Sequence, residues 1–517
     1  MLKKITRRAT QLLFVLLTIF SIFLAIGAFS ELENFAVTGA ATGAAATVTA
    51  NAALSIIDNV NVVDVKTGVV LPTQSVVISA NKIAFIGARE QIPNSYAELP
   101  QQHRVNGANG YLIPGLWDSH LHTLSTSPQM HFPLLVANGV TTIRDLGEGC
   151  SWRSQLNCVP DITRWREQQR DNKLLMPRII ASTSYHIEST EELENSSDTV
   201  AREKFRILIK TLKQRGDDFL KPQLTYDGNP RLFELLLEEA AEAKMVVAGH
   251  LPYKYDLARA SSAPLVSVEH DSGLLPQCSR ARLQYDGRNR NKATLLADMD
   301  STRCDAVLKS MAAQSIAFVP THVASNAQDY FLLGNEADNM PTLRYVVAPM
   351  RLLWRTYGAI NKAGVDASDE TVIQKMFQVS LDLTKRAHAA GVPVLVGTDA
   401  LDAYVVHGFS IHDELQHFVK AGISPIDALR AATIVPATHF GRANELGSIE
   451  VGKIADLVLL NANPLNGIEQ TKNIRAVWLN GQHLSQDVLT EMLRWTATGA
   501  NSIRLSAAFV WRMMRGN

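Results

Sequence analysis

Leu112-Ile113-Pro114-Gly115-Leu116-Trp117-Asp118-Ser119-His120-Leu121-His122-Thr123 reads as a buried strand that ends in two imidazoles. The run from Leu112 to Trp117 carries no charge, and the polar residues begin where it stops. In an extended chain, residues two apart point the same way, so His120 and His122 can face one ion. Similar apolar, β-branched runs follow at Val140–Leu146, Arg178–Ser182, Asp218–Lys221, Met245–Ala248, Leu265–Val268, Ala317–Val319 and Pro393–Val396. Each is followed by space or pattern for a helix. Eight β/α units in about 330 residues is the count of a (β/α)8 barrel. Two doubly wound domains would alternate similarly, so the residues at the strand ends decide.

Barrel chemistry sits at the C-terminal ends of the strands. Strand four ends in Phe219-Leu220-Lys221, strand five in Gly249-His250, strand six in Glu269-His270 and strand eight in Gly397-Thr398-Asp399. With His120 and His122, that makes six residues able to bind metal at the end that faces substrate. Any one alone would be an ordinary structural histidine, aspartate or solvated lysine. Their joint placement is what points to a metal site. Lysine needs a separate argument, because an ammonium ion has no lone pair and repels a cation. Lys221 can serve only after its neutral amine adds carbon dioxide and becomes a carbamate. Burial and neighbouring cations favour the neutral amine. The carbamate has two oxygens, enough to bridge two divalent metal ions. Such a cluster keeps a net positive charge and can polarise a carbonyl. Histidine and oxygen donors suit zinc but also accept manganese, cobalt or iron.

The chain has 517 residues, 46% hydrophobic and 19% charged, enough for one large barrel and a smaller companion. Alternating strands at Ser55–Val65, Ser75–Ala80 and Lys82–Ile86, and again at Ile454–Leu460 and Ile474–Leu479, predict a single β domain built from both ends. Lys plus Arg equals Asp plus Glu at 50 each, so the composition gives no reason to expect nucleic acid. Lys3, Lys4, Arg7 and Arg8 precede an uncharged apolar run from Leu12 to Phe29. That is an export signal, either cleaved or retained as a membrane anchor, and it predicts a periplasmic or extracellular protein. Residues 31–53 read as a linker. Leu505–Met514 forms a basic amphipathic helix expected to pack on the barrel or a second subunit, with a membrane surface as the alternative. Four cysteines allow three pairings. Cys150–Cys158 with Cys278–Cys304 closes the shortest loops and fits an oxidising compartment.

These segments resemble the amidohydrolase superfamily, in its imidazolonepropionase-like and metal-dependent prolidase-like branch, over about Ala53 to Leu484. The carrying motifs are Leu112–Thr123, Gly139–Gly147, Val394–Ala400 and Gly447–Leu459, with His412–Leu415 and Ala428–Thr433. The resemblance implies an α/β fold, a (β/α)8 TIM-type barrel over 112–444 with a small β-sandwich domain from 54–111 and 445–484. Residues 1–30 and the helical tail 485–517 lie outside it. It implies that His120, His122 and Asp399 hold one metal, His250 and His270 the other, and carboxylated Lys221 bridges them. Asp399 would then shuttle the proton of a bridging hydroxide to the leaving amine, hydrolysing an amide in a dipeptide or N-acyl amino acid. Tyr226 lies where related enzymes place a tyrosine near substrate, although a packed loop aromatic fits it as well. Many relatives carry Gly-Gly-His where this chain has Ser184-Tyr185-His186, which weakens His186 as a substrate contact. His322 is expected to line the pocket at most. Residues Asn326–Tyr357 form a long connection that either covers the site or is a surface insertion. Two other readings stand beside this one: a mononuclear deaminase or cyclic-amide hydrolase, and a non-catalytic exported binding protein. Oligomeric state is left open.

Overall fold

The computed structural model describes residues 18–515 apart from 36–53, 98, 100–102, 148–160, 172, 225–229, 260–263, 288, 327–335, 363–364 and 366. The strands that open the chain are β1 (Leu54–Val63), β2 (Val70–Ser79), β3 (Lys82–Gly87), β4 (Arg104–Asn106) and β5 (Tyr111–Pro114). The next eight are β6 (Leu116–Leu121), β7 (Val140–Asp145), β8 (Arg178–Ser182), β9 (His186–Glu188), β10 (Phe219–Gln223), β11 (Val246–Gly249), β12 (Leu265–Glu269) and β13 (Ala317–Val319). The last are β14 (Leu457–Leu460), β15 (Ile474–Leu479) and β16 (Gln482–Ser485). Four helices matter below: α1 (residues 18–29), α2 (Ala348–Lys362), α3 (Gln486–Ala500) and α4 (Ile503–Arg515).

The two ends of the chain make one sheet in the order β16-β15-β14-β5-β1-β2-β3, with β4 also on β1. The join is the antiparallel ladder between β14 and β5. Alternation splits the apolar residues: Ile57, Val76 and Ile78 pack with Leu457 and Trp478, whereas Ile56 and Val77 pack with Ile92.

The barrel strands are parallel. β6-β7-β8 form one run and β9-β10-β11-β12-β13 another. Backbone hydrogen bonds join them into a ring. Asp218 N–H donates to Ser182 O (2.8 Å), bringing β8 to β10. Phe318 N–H donates to Pro393 O and Leu395 N–H to Phe318 O, each at 2.9 Å, bringing residues 393–400 to β13. Ser119 N–H donates to Val396 O (2.9 Å) and Thr398 N–H to His120 O (3.0 Å), returning that segment to β6. Residues 393–400 thus serve as the eighth strand without a regular ladder, which corrects the strand expected at Pro393–Val396.

A second correction falls on the opening motif. Leu112–Trp117 is not one strand. Tyr111–Pro114 belongs to the β domain and Leu116–Leu121 to the barrel, with Gly115 as the joint. A Cβ at Gly115 would lie 2.1 Å from Thr141 Oγ1, so only glycine lets the chain pass between domains there. β4, β9 and β16 were not anticipated.

The tail packs on the barrel. Leu505 and Phe509 of α4 share a buried cluster with Trp354, Tyr404 and Leu134. α1 lies against α4 so closely that a Cβ on Gly27 would meet Ala507 O at 2.2 Å. No helix among the described residues is long and apolar enough to cross a membrane. Residues 31–35, the described part of the expected linker, are tied down: Arg504 reaches Glu33 (2.7 Å), and Phe35 sits edge-on to Trp495.

Cys278 and Cys304 form a disulfide with Cα atoms 4.3 Å apart, and both are buried. Cys150 and Cys158 lie outside the described residues. The bond ties the segment after β12 to the helix Ser301–Gln314 and closes a separation of 26 residues. The Cys278→Ala/Cys304→Ala variant is expected to lose about 3 kcal/mol of stability, read as a lower Tm. An unchanged Tm would remove the bond from the stabilising elements.

Candidate active site

The expected ligand residues converge at the C-terminal end of the strands. A cavity of about 360 Å³ is floored by His122, Lys221, His250, His270 and Asp399 and walled by His186, Glu188, Gln223, Leu401 and Asp402. His186 pairs with Lys221 and Glu188 with Gln223 across the β9–β10 ladder. Period-2 alternation therefore turns all four side chains toward the same space.

One ligand atom from each of His120, His122 and Asp399 lies within 4.8 Å of the others. His120 Nε2 and His122 Nε2 stand 3.2 Å and 3.1 Å from Asp399 Oδ1. The opposite nitrogens of both rings are engaged. His122 Nδ1 is 3.2 Å from Gly147 O, an acceptor only, so the proton of the neutral ring sits on Nδ1. His120 Nδ1 is 2.7 Å from Glu269 Oε2. Burial alone would raise the Glu269 pKa, but Arg144 and hydrogen bonds from His120 and Ser267 outweigh it and hold the carboxyl well below its usual range. Glu269 is thus a carboxylate that fixes the His120 proton on Nδ1 too. Both Nε2 lone pairs then point at a carboxylate oxygen with no proton between them, and His120 Nε2 is buried without a hydrogen bond. Three lone-pair donors facing one another repel unless a cation lies among them. The donor set fits a divalent metal.

Burial sets the charge states of the remaining groups. It lowers His122 to about 4 and His270 to about 3, and holds His250 and His186 well below the ordinary imidazole value. Neutral imidazoles are what a metal requires. His270 packs against His120 and His250, with ring centroids 4.6 and 4.8 Å apart. Lys221 is pushed down to about 8 by burial, against the pull of Asp399 and Glu269. Asp399 is kept well below its usual value although burial alone would raise it. His270, Thr321 and Asp399 all adopt positive φ (65°, 51° and 59°), a conformation non-glycine residues rarely take. Asp118 pins the rim by accepting from the Thr398 hydroxyl (2.6 Å) and backbone N–H (3.0 Å).

His322 does not reach the cavity. Its ring is fully buried, with Nε2 2.8 Å from Thr384 Oγ1, and Glu414 accepts from its backbone N–H at 3.0 Å. It is a structural residue, contrary to the pocket-lining expectation. Tyr226 lies outside the described residues. Sequence reasoning passed over Glu269, Arg144, Glu188 and Asp402. The signal for Arg144 was a cation inside a β-branched strand read as buried; for Glu188 it was its spacing of two from His186.

The same burial predicts acid sensitivity of the metal-free protein. His122, His270, His322, His407 and His412 are buried with values of about 3 to 4. A lowered histidine pKa leaves stability unaffected above the unfolded value and costs it as pH falls below, because only the unfolded chain takes up protons. At pH 5.5 each such histidine costs about 1.4 kcal/mol relative to pH 7 or above. Asp118 and Asp145, raised to about 6, and Glu414, raised to about 8, all by burial, act in the opposite sense. They return about 1–2 kcal/mol each, leaving a net loss of about 3 kcal/mol. The Tm of the metal-free chain should fall by about 3 °C between pH 7 and pH 5.5. A flat profile would contradict the buried neutral imidazoles.

Residues 375–484 match the amidohydrolase family. The chain is 24% identical to the ochratoxinase of Aspergillus niger, across 80% of this chain and 83% of that one. Its fold is similar to the solved structure of the bottromycin amidohydrolase (TM-score 0.66, 20% identity, 89% of this chain and 94% of that one). It is also similar to a Xaa-Pro dipeptidase with bound methionine (TM-score 0.55, 17% identity, 84% and 100%). The amidohydrolase family match thus covers residues 375–484, and the fold of the chain is similar to that of solved amidohydrolase structures.

Proposed function

We propose that this chain hydrolyses an amide or peptide-like C–N bond of a small substrate, of the dipeptide or N-acyl amino acid type, with two divalent ions, zinc foremost. The observation that carries the reading is the set of lone pairs from His120, His122 and Asp399 aimed at one point, with Lys221 buried beside them. Relatives named as an amidohydrolase and a dipeptidase favour the bond class. His120, His122 and Asp399 would hold one ion, His250 and His270 the other, and Lys221, as a carbamate, would join both. When bound, the ions supply Lewis acidity toward the amide carbonyl and acidify water.

The chain's own residues do the rest. Glu269 fixes the His120 tautomer, and Gly147 O fixes that of His122. Asp399 takes the proton of the attacking water and returns it to the departing nitrogen, general base and then general acid. His186, Glu188, Gln223 and Asp402 form the wall against which substrate is oriented. Action outside the cytoplasm is part of the proposal, supported by the buried Cys278–Cys304 bond and the basic-then-apolar N-terminus.

The test is a panel of Xaa-Pro and other dipeptides and N-acyl amino acids, followed by amine release. Activity abolished by a chelator and restored by zinc or manganese supports the reading. Turnover that survives complete metal removal would overturn the metal requirement, and no turnover on any amide with metal restored would overturn the bond class.

A further inference from the structure

On the β9–β10 side the cavity is built in two layers, and the proposed chemistry uses the lower one. The two strands run parallel with His186 opposite Lys221 and, two residues on, Glu188 opposite Gln223. Ile187, between the two outward positions of β9, is turned into the hydrophobic core. A strand climbs about 3.3 Å per residue, so Glu188 and Gln223 stand about 7 Å further out than His186 and Lys221, toward the mouth. The lower layer touches the floor: the His186 and His122 ring centroids are 5.7 Å apart. The upper layer is exposed, and both of its side chains border the cavity.

The sign of this wall decides what it takes. His186 Nε2 is held by Leu146 O (2.9 Å), and burial keeps the ring neutral. The Glu188 carboxylate makes no hydrogen bond or ion pair among the described residues. Asp402 already accepts from Ala403 N–H (2.7 Å), which leaves Glu188 as the carboxylate open to a ligand. The described lining residues include no arginine, and Lys221, the lysine among them, lies on the floor. An acidic group on the substrate would find no cation on this wall. An ammonium or guanidinium would find the Glu188 carboxylate, with the Gln223 side-chain carbonyl beside it as a second acceptor. Height then selects the cation. The α-ammonium of a dipeptide lies next to the scissile carbonyl, down among the floor residues. A lysine or arginine side chain is long enough to reach the upper layer.

We propose that Glu188, with Gln223, forms a subsite for the side-chain cation of a lysine- or arginine-containing amide. The place of the scissile bond at the floor rests on the proposed hydrolysis. Recognition of the cation is measurable without turnover, so the two stand or fall separately.

The experiment is isothermal titration calorimetry on the full chain loaded with zinc, at low salt. The ligands are Nα-acetyl-lysine, Nα-acetyl-norleucine, which lacks the side-chain ammonium, and glycyl-norleucine, which carries an α-ammonium alone. The parent should bind Nα-acetyl-lysine about fivefold tighter than Nα-acetyl-norleucine, the upper end for an exposed charge pair, and added salt should shrink the difference. In Glu188→Gln the ratio of the two affinities should fall to about one. A lysine preference that survives in the variant would assign the cation to another group and overturn the proposal. A parent that binds both acetyl ligands alike, or neither, would overturn it too. If glycyl-norleucine binds as tightly as Nα-acetyl-lysine, the α-ammonium is what is read and the side-chain subsite fails. A preference lost in the variant while no amide is turned over would uphold the subsite and count against the hydrolysis alone.

Discussion

Asp399→Asn should lower kcat on the best amide substrate by about 10²–10⁴ while leaving the fold intact. The asparagine keeps an oxygen near His120 and His122, so the change falls on the proton more than on the shape. A carboxylate that stays ionised is a proton acceptor at the reacting end of the barrel. The amide cannot accept and return a proton. The measurement is kcat alongside circular dichroism and metal content. A loss below about tenfold with full metal content would remove Asp399 from proton transfer.

Glu269→Gln should have two separable effects. Glu269 Oε1 accepts from Arg144 Nη2 at 2.7 Å, and Arg144 also donates to Ser119 O (2.6 Å) and Ser267 Oγ (2.8 Å). Both charges are buried to within 1% of full exclusion. Removing one leaves the other uncompensated, at a cost of about 3–5 kcal/mol. Glutamine also no longer forces the His120 proton onto Nδ1, which should weaken metal affinity about 10–100-fold. Adding Arg144→Met should recover part of the lost stability, because no bare charge remains, but none of the affinity. If affinity returns together with stability, Glu269 acts only through the fold.

Those two residues also mark the limit of what the sequence reveals. The barrel was legible because its strands are short β-branched runs, and the convergence of the proposed ligand residues because each follows such a run directly. The two-ended β domain was legible from alternation. Glu269 was visible only as the neighbour of His270; its role depends on Arg144 from β7 and on a register across the barrel interior that no local pattern encodes. The break at Gly115 depends on Thr141, on another strand. Residues 393–400 look like a strand but close the ring through single hydrogen bonds, with Asp399 turned into positive φ. His322 stands at a strand end as the proposed ligands do, yet Thr384 and Glu414 hold it in the core. Position along a strand was readable; the direction a side chain takes at its end depended on partners far away in sequence.

The most direct test of the central claim is metal content per chain in protein purified with bicarbonate, measured for the parent and for Lys221→Ala. A cluster bridged by Lys221 predicts about two divalent ions in the parent and a clear loss in the variant. One ion in both would contradict the bridge, and none in either would contradict the metal site itself.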